Sequence, residues 1–330
     1  MRRGLDSRPT VVDLFAGAGL FSHAFEREGF RVTRAIELDR DAVQTYARNL
    51  GPVVELADIR HSEPSGRCDV IIAGPPCQGF STLGKMESSD PRNRLALQVV
   101  RWAEVMKPKI IVIENVEAFL RSGTRARLAK KLEELGYEVS SDVCNALDSG
   151  VAQRRIRSAT FASRVGLVTP RKRSRSSPVT VREAWSGLPK TPSGVGLDVF
   201  LPTTPLAMAR MRVIPSGGDK RDILAKAPHL APPSWFGRRR IDVTDVWGRM
   251  EWDQPANTLR TEFVNPSKGR YIHPDQHRVM SLREAARLHS IPDDFEFAQN
   301  IPYVVARQLG NSVPTLLGQS LARLVMRHLG

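Results

Sequence analysis

The sequence predicts an α/β fold, a doubly wound and mostly parallel sheet, with a second, smaller and irregular domain. Short apolar strands alternate with amphipathic helices up to Phe161, and several of these strands end in glycines or polar side chains. After Phe161 the alternation stops, and residues 166–260 are rich in Pro, Arg, Ser and Gly. Alternating strands and helices are typical of a parallel sheet with helices on both faces.

The first half of the chain supplies the elements of this sheet. Strands are predicted at residues 10–15, 31–36, 69–73, 109–113, 137–143 and 158–161, and helices at 20–28, 41–49 and 125–135. In a sheet of this type, ligands bind beyond the carboxyl ends of the strands. The residues at those ends are therefore the candidates for a functional site.

The second half is predicted to form a small domain with a core of its own. It contains four tryptophans, and disordered segments rarely carry so many aromatic residues. A capped helix is predicted at 281–288, with Glu284 at the capping-box position. A turn is predicted at 308–314, immediately before a final helix at 318–329.

The length and composition place limits on the class of protein. A chain of 330 residues is long enough for two domains, and we expect one at 1–165, completed by 299–330, and a smaller one at 166–298. No run of 18 apolar residues could span a membrane, and the charged N-terminus lacks the apolar segment of a signal peptide. The three cysteines match neither a disulfide framework nor a zinc site. We therefore expect a cytoplasmic protein without a metal.

The net positive charge lies in the second half of the chain. Residues 1–150 contain 21 basic and 21 acidic residues, whereas residues 151–330 contain 28 and 14 and so hold the whole net charge of +14. The runs RKRSR at 171–175 and RRR at 238–240 belong to this half. A basic half beside a neutral one favours a polyanion such as nucleic acid as the partner. The alternative is a basic surface that only aids solubility.

A glycine-rich turn after the first strand is the first candidate binding element. The turn lies within the segment DLFAGAGLFS at 13–22, and its glycines let a ligand approach the backbone closely. Glu37 ends the second strand about 20 residues further on, where a carboxylate can bind both hydroxyls of a ribose. Asp58 follows the next apolar segment, placed to accept from an adenine amino group. Each acid alone could be a surface residue, but together they predict a site for an adenosine-containing ligand.

The segment GPPCQGFS at 74–81 carries Cys77 at the same edge of the predicted sheet. Most lone cysteines are buried structural residues, but two prolines fix the backbone before this one, which suits a nucleophile. A free thiol has a pKa of about 8.5, so its use requires a lowered pKa or a proton relay. Glu114, in ENV after the next strand, is placed to protonate or hydrogen-bond a heteroatom of a substrate, or to cap the following segment.

Two further polar motifs complete the set that runs along the chain. QRRIR at 153–157 contains Arg155 and Arg157, which point the same way if the segment is extended, and QLGNSVP occupies 308–314. The order of DLFAGAG, the two acids, GPPCQGFS, ENV, QRRIR, SLREAARLHSIPDDF and QLGNSVP resembles the C5-cytosine DNA methyltransferase family of bacterial restriction–modification systems. The resemblance covers about residues 10–165 and 255–325. In that family, the stretch at 166–250 is the variable target-recognition region.

The resemblance implies a methyltransferase with a Rossmann-like fold that uses S-adenosylmethionine. Cys77 would add to C6 of cytosine, so that C5 can attack the methyl sulfonium, and loss of the C5 proton would then release Cys77. Glu114 would contact N3 and the exocyclic amine, and Arg155, with Arg157 beside it, would hold the pyrimidine. C5 and C6 are inaccessible inside a duplex, so the target base must flip out, at a cost of a few kcal/mol.

The resemblance also implies the residues that bind cofactor and DNA. The cofactor would be bound by Phe15, Gly17, Gly19, Glu37, Asp58, Ile59, Pro76, Asn311 and Val313. The DNA contacts are predicted at Gln78, Ser81, Leu83 and Arg92 in a loop after Cys77, and at Arg171, Arg173, Arg238, Arg239 and Arg240 in the basic runs. Leu83 departs from the family, which often has serine there, and it could act as an apolar wedge. We expect a monomer that acts on double-stranded DNA and associates with the nucleoid. The expected setting is protection against a cognate restriction endonuclease for the same site, although no sequence feature distinguishes this setting from that of a solitary methyltransferase.

Three alternative functions agree less well with the sequence. A tRNA cytosine-5 methyltransferase would carry a Cys-Phe-Thr signature in its recognition region, and none occurs in this sequence. A non-catalytic DNA-binding relative is disfavoured by the presence of Cys77, Glu114 and Arg155. A nicotinamide-dependent oxidoreductase would explain the glycine turn, but neither GPPCQGFS nor the basic half.

Overall fold

The chain divides into two compact units. The computed structural model describes residues 7–76, 91–170, 177–236 and 245–330, without the side chains of 91–93. The first unit comprises 1–149, 156–174 and 312–330, and the second comprises 150–155 and 175–311. Residues 299–311, which we expected to complete the first domain, fall in the second unit, since the helix at 302–311 contacts the helix at 282–288.

The described residues contain the following strands and α-helices. The strands are β1 (Thr10–Leu14), β2 (Arg31–Glu37), β3 (Val54–Leu56), β4 (Val70–Ala73), β5 (Ile110–Asn115), β6 (Glu138–Asn145), β7 (Gln153–Arg154), β8 (Ile156–Ser163) and β9 (Ala256–Asn257). The helices are α1 (Leu20–Glu26), α2 (Arg40–Leu50), α3 (Gln98–Met106), α4 (Gly123–Glu134), α5 (Val181–Ala184), α6 (Pro205–Val213), α7 (Lys220–Lys226), α8 (Leu282–Leu288), α9 (Pro302–Asn311) and α10 (Thr315–Leu329). None of these helices is long and apolar enough to cross a membrane.

The first unit is built on a seven-stranded sheet in the order β3-β2-β1-β4-β5-β8-β6. The first five strands of this order are mutually parallel, and β8 is antiparallel to both β5 and β6. Every residue of β4 and β5 is buried, as expected for central strands of a sheet that is covered on both faces. The predicted α/β class, with a mostly parallel sheet, is confirmed.

The parallel arrangement determines where the candidate residues of the first unit meet. Because β1, β2, β4 and β5 run the same way, the residues that follow them lie at one edge of the sheet. The antiparallel β8 begins at that edge, since Ser158 pairs with Asn115 at the end of β5. Arg157, one residue earlier, is thereby placed beside the end of β5.

The prediction of a turn over the whole of 308–314 was wrong at its start. Residues 308–311 form the last turn of α9, because Val305, Ala306 and Leu309 give that helix a buried face. The turn is confined to the residues between α9 and α10, where Pro314 precedes the first residue of α10. The residue before a proline avoids helical backbone angles, which explains why the break falls there.

The second unit contains little regular structure, and buried polar groups hold its loops. Arg249 is 3% exposed, and its guanidinium donates hydrogen bonds of 2.6–2.8 Å to the carbonyls of Met211, Ile214, His273 and Gln276. A buried carbonyl without a hydrogen-bond donor is costly, so one guanidinium that bonds four of them holds several loops in place. The predicted capping box is confirmed, since Ser281 accepts from the Glu284 amide and Glu284 accepts from the Ser281 amide.

Candidate active site

The glycine-rich turn after β1 has backbone angles that restrict its sequence. Gly17 and Gly19 have φ values of 55° and 87°, in the left-handed region that favours glycine. A Cβ at Gly19 would also lie 2.8 Å from the Tyr46 ring. Phe15, with φ of 62°, adopts the same region without being glycine, and such strained residues cluster at functional sites.

Glu37 connects the end of β2 to this turn. Its carboxylate accepts hydrogen bonds from the Gly17 amide at 2.7 Å, the Leu38 amide at 2.8 Å and the Asp39 amide at 2.7 Å. The structure therefore brings together two residues that the sequence predicted for the cofactor. A carboxylate can accept about four hydrogen bonds, so these three amides orient the group without filling it.

Asp58 and Ile59 lie in a turn after β3. The Arg60 side chain and backbone N–H both donate to Asp58, and they lower the pKa of its carboxyl to about 2. Asp58 is consequently an ionised acceptor at neutral pH. Arg101 donates to the carbonyls of Ile59 and Ser62 at 2.6 and 2.7 Å, which fixes the same turn from α3. Neither arginine was a sequence candidate.

Asp13 forms a buried hydrogen-bond network beneath the glycine turn. It is 1% exposed and accepts from the Ser22 hydroxyl at 2.6 Å, and Ser22 in turn accepts from the Tyr46 hydroxyl at 2.8 Å. Burial raises the pKa of Asp13 to about 8, and the nearby Glu37 charge acts in the same direction. The carboxyl is thus largely protonated at neutral pH.

We expect Asp13→Asn to change how stability depends on pH. An acid with a raised folded-state pKa keeps a proton that the unfolded chain releases, so this group makes the folded state less stable as pH rises from about 4 to about 8. The variant should therefore gain free energy of unfolding relative to the wild type, by about 1 kcal/mol per pH unit between pH 5 and 7. Urea unfolding at several pH values measures this difference, with the exposed Asp148→Asn as the control. A constant difference across that range would contradict a neutral Asp13.

The Pro75–Pro76 turn is fastened to the end of β5 by Asn115. This buried side chain donates from Nδ2 to the Pro75 carbonyl at 3.1 Å, and its Oδ1 accepts from the Val116 amide at 2.8 Å. The Ser158 hydroxyl donates to the Val116 carbonyl at 3.1 Å. Asn115 belongs to the ENV block, but its anchoring contact was not predicted.

Glu114 and Arg157 form an ion pair at this edge of the first unit. Arg157 Nε lies 3.2 Å from Glu114 Oε1, and the side chains are 14% and 10% exposed. The structure therefore brings together two of the predicted catalytic residues. The ion pair orients both side chains. Glu114 lies close to the Pro75–Pro76 turn, because the next residue, Asn115, bonds the Pro75 carbonyl.

Arg155 has a different environment from Arg157. It is 2% exposed, belongs to the second unit, and donates to the carbonyls of Leu259 at 3.0 Å and Gly310 at 2.8 Å. Those contacts hold the backbone around β9 and the end of α9. Of the predicted cofactor residues near the C-terminus, Asn311 belongs to the second unit, whereas Val313 is buried in the first.

Several predicted site residues lie outside the described part of the chain. These are Cys77, Gln78, Ser81, Leu83, Arg171, Arg173, Arg238, Arg239 and Arg240, together with the side chain of Arg92. Within the ranges that the structure describes, no cluster of three or more His, Cys, Asp or Glu could hold a metal ion.

A family model and several known proteins match nearly the whole chain. The family model for C-5 cytosine-specific DNA methylase matches residues 9–188 and 234–327. The type II methyltransferase M1.HphI of Haemophilus parahaemolyticus is 34% identical, over 96% of this chain and 87% of that protein. M.XorII of Xanthomonas oryzae, also a type II methyltransferase, is 33% identical, over 98% and 86%.

Solved structures share the fold at lower sequence identity. The Entamoeba histolytica methyltransferase EhMeth superposes with a TM-score of 0.73 at 15% identity, over 98% of this chain and 99% of that one. The S. pombe Dnmt2 methyltransferase gives 0.69 at 18% identity, over 98% and 100%.

Proposed function

This chain belongs to the C-5 cytosine-specific DNA methylase family, and from that premise we propose that it methylates a flipped-out cytosine in a specific duplex sequence through a covalent bond to Cys77. The observation that carries the proposal is the Glu114–Arg157 pair beside the anchored Pro75–Pro76 turn. This arrangement supplies an oriented carboxyl and an oriented cation near the turn that immediately precedes Cys77 in the sequence.

Each of these residues has a distinct part in the proposed reaction. Glu114 contacts N3 and the exocyclic amine of cytosine, which makes the ring a better acceptor of electrons when Cys77 adds to C6. Arg157, held by Glu114, is the better placed arginine to contact the pyrimidine, since Arg155 donates to two backbone carbonyls. Arg155 is then a positioning residue for the second unit.

The family implies S-adenosylmethionine as the cofactor, and the residues of the first unit fit it. Bound there, it would supply the methyl group. Glu37 offers an oriented carboxylate for ribose hydroxyls, and Asp58 offers an ionised acceptor for an adenine amine. A Cβ at Gly17 would meet nothing within 4 Å, so the backbone at this glycine is open to a ligand.

Glu37→Ala is expected to weaken S-adenosylmethionine binding about 10- to 100-fold, with little effect on DNA affinity. Each charge-assisted hydrogen bond from a ribose hydroxyl contributes about 1.5–3 kcal/mol, and the variant also loses the bond to the Gly17 amide. Calorimetry measures the affinity, with Glu63→Ala as the control because its side chain is 85% exposed. Unchanged cofactor affinity would place the ribose ligand elsewhere.

The proposed reaction is tested by trapping its covalent intermediate. Fluorine at C5 of cytosine blocks the final proton loss, so duplex DNA that contains 5-fluorocytosine in the target site should form an adduct that survives denaturing electrophoresis. Adduct formation should require S-adenosylmethionine. Methyl transfer onto duplex DNA and tRNA, measured side by side, tests the substrate. Methylation of tRNA alone would overturn the proposal.

We also infer that the protein protects DNA against a restriction endonuclease. The relatives M1.HphI and M.XorII are type II methyltransferases, and the match covers most of their length. The expected consequence is that DNA from cells expressing this chain resists cleavage by an endonuclease with the same target.

A further inference from the structure

The second unit contains a pocket of about 250 Å³ that the proposed chemistry does not use. It is lined by Arg154, Asp245, Asn257, Thr258, Arg260, Gly269, Arg270 and Tyr271. These residues come from separate parts of the second unit. Arg154 belongs to the QRRIR motif, and Asp245 is a polar neighbour of Trp247, two residues before it in the recognition stretch.

Part of the pocket lining is fixed by hydrogen bonds. Nη1 of Arg270 donates to the carbonyls of Gly217, Gly218 and Arg249 at 2.8–2.9 Å. The buried Tyr271 hydroxyl donates to the Thr258 carbonyl at 3.1 Å. A Cβ on Gly269 would lie 2.4 Å from the Tyr271 ring, so this wall is closely packed. A rigid wall allows the remaining side chains to select a ligand by hydrogen-bond pattern.

The remaining lining residues include both acceptors and donors. Asp245 Oδ1 accepts from Asn257 Nδ2 at 3.0 Å, which orients both groups. That bond leaves the second carboxylate oxygen and the Asn257 carbonyl oxygen as acceptors. The exposed Arg260 donates from Nη1 to the Lys268 carbonyl at 3.3 Å. Among the residues that the structure describes, this long bond uses one of the five N–H groups of the guanidinium.

We propose that this pocket receives the major-groove edge of a G·C pair in the target sequence. Arg260 would donate to O6 and N7 of guanine, and Asp245 would accept from the N4 amine of the paired cytosine. A backbone phosphate presents only acceptors, so the Asp245 carboxylate and the Asn257 oxygen disfavour it. The inference rests on the proposed function, because it names residues that choose the methylated sequence.

Bisulfite sequencing of DNA from a methylation-free host tests the pocket and the proposed function separately. The wild-type protein should methylate one sequence that contains an obligatory G·C pair besides the target pair. Arg260→Ala should relax that one position, so that the preference for G·C over other pairs falls about 5- to 150-fold. Lys226→Ala is the control, since it removes another exposed cation of the same unit. It should leave every position unchanged.

A second variant tests the acceptor side of the pocket. Asp245→Asn keeps the side-chain size but replaces one acceptor with a donor, so it should relax the same position as Arg260→Ala. If both variants lower methylation at every sequence equally, the pocket contacts phosphate and the proposal is wrong. Unchanged specificity in both variants also overturns it. Absence of methylation by the wild-type protein would instead contradict the proposed function.

Discussion

Replacing Cys77 with serine is expected to abolish methyl transfer while the protein remains folded and binds DNA. A serine hydroxyl is far less ionised than a thiol at neutral pH, so it cannot add to C6 of cytosine at a useful rate. The Pro75–Pro76 turn, which precedes Cys77 in the sequence, is held by the Asn115 side chain and remains unchanged in this variant. Single-turnover methyl transfer onto target duplex, together with electrophoretic DNA binding, measures the two effects.

Cys144→Ser is the matched control for this substitution. Cys144 is a free, partly buried cysteine of the same unit, and its thiol pKa is raised to about 12, mainly by burial. The control should retain methyl transfer and should still form the adduct with 5-fluorocytosine. Substantial methylation by Cys77→Ser would remove Cys77 from the nucleophile role.

Glu114→Gln is expected to lower kcat about 10²- to 10⁴-fold, with a much smaller change in KM for DNA. A positioned acid or base typically contributes a rate factor of this size. Glutamine can still hydrogen-bond the cytosine edge, but it carries no proton for N3 and no charge to hold Arg157 at 3.2 Å. The substitution also leaves the nearly buried Arg157 without its carboxylate, so some loss of stability is expected.

The control for this second experiment is Glu117→Gln, three residues further along the chain. Glu117 is 44% exposed and forms an ion pair with the exposed Arg121. Its replacement should therefore change kcat by less than about threefold. A melting curve on each variant separates lost catalysis from lost folding. If folded Glu114→Gln kept most of its kcat, the carboxyl could not be the group that activates the ring.

Local patterns in the sequence predicted most of the first unit. Apolar runs gave the positions of β1, β2, β4 and β5 within a few residues. The central strands β1, β4 and β5 are almost continuously buried, and β2 buries its apolar residues Val32, Ala35 and Ile36. Short or weakly patterned elements were missed. β3 has three residues, two of them exposed, so neither burial nor alternation distinguishes it from a loop.

The candidate site was predictable in its residues but not in its contacts. The glycine turn and Glu37 could be named from motif order, and the structure joins them through a 2.7 Å hydrogen bond. The motif QRRIR, by contrast, offered two similar arginines. Only the structure shows that one pairs with Glu114 while the other holds backbone carbonyls. Two residues apart in sequence, they lie in different units.

The sequence by itself thus determined the fold class, the family and the chemistry-bearing residue types, because these depend on periodicity and on short motifs. The tertiary structure alone decided how distant groups combine. Arg154 and Asn257, about a hundred residues apart, line one pocket, and the Arg155 guanidinium binds the carbonyls of Leu259 and Gly310. The physical reason is that a hydrogen bond or ion pair requires contact within about 3 Å, and chain folding, rather than sequence spacing, brings such partners together.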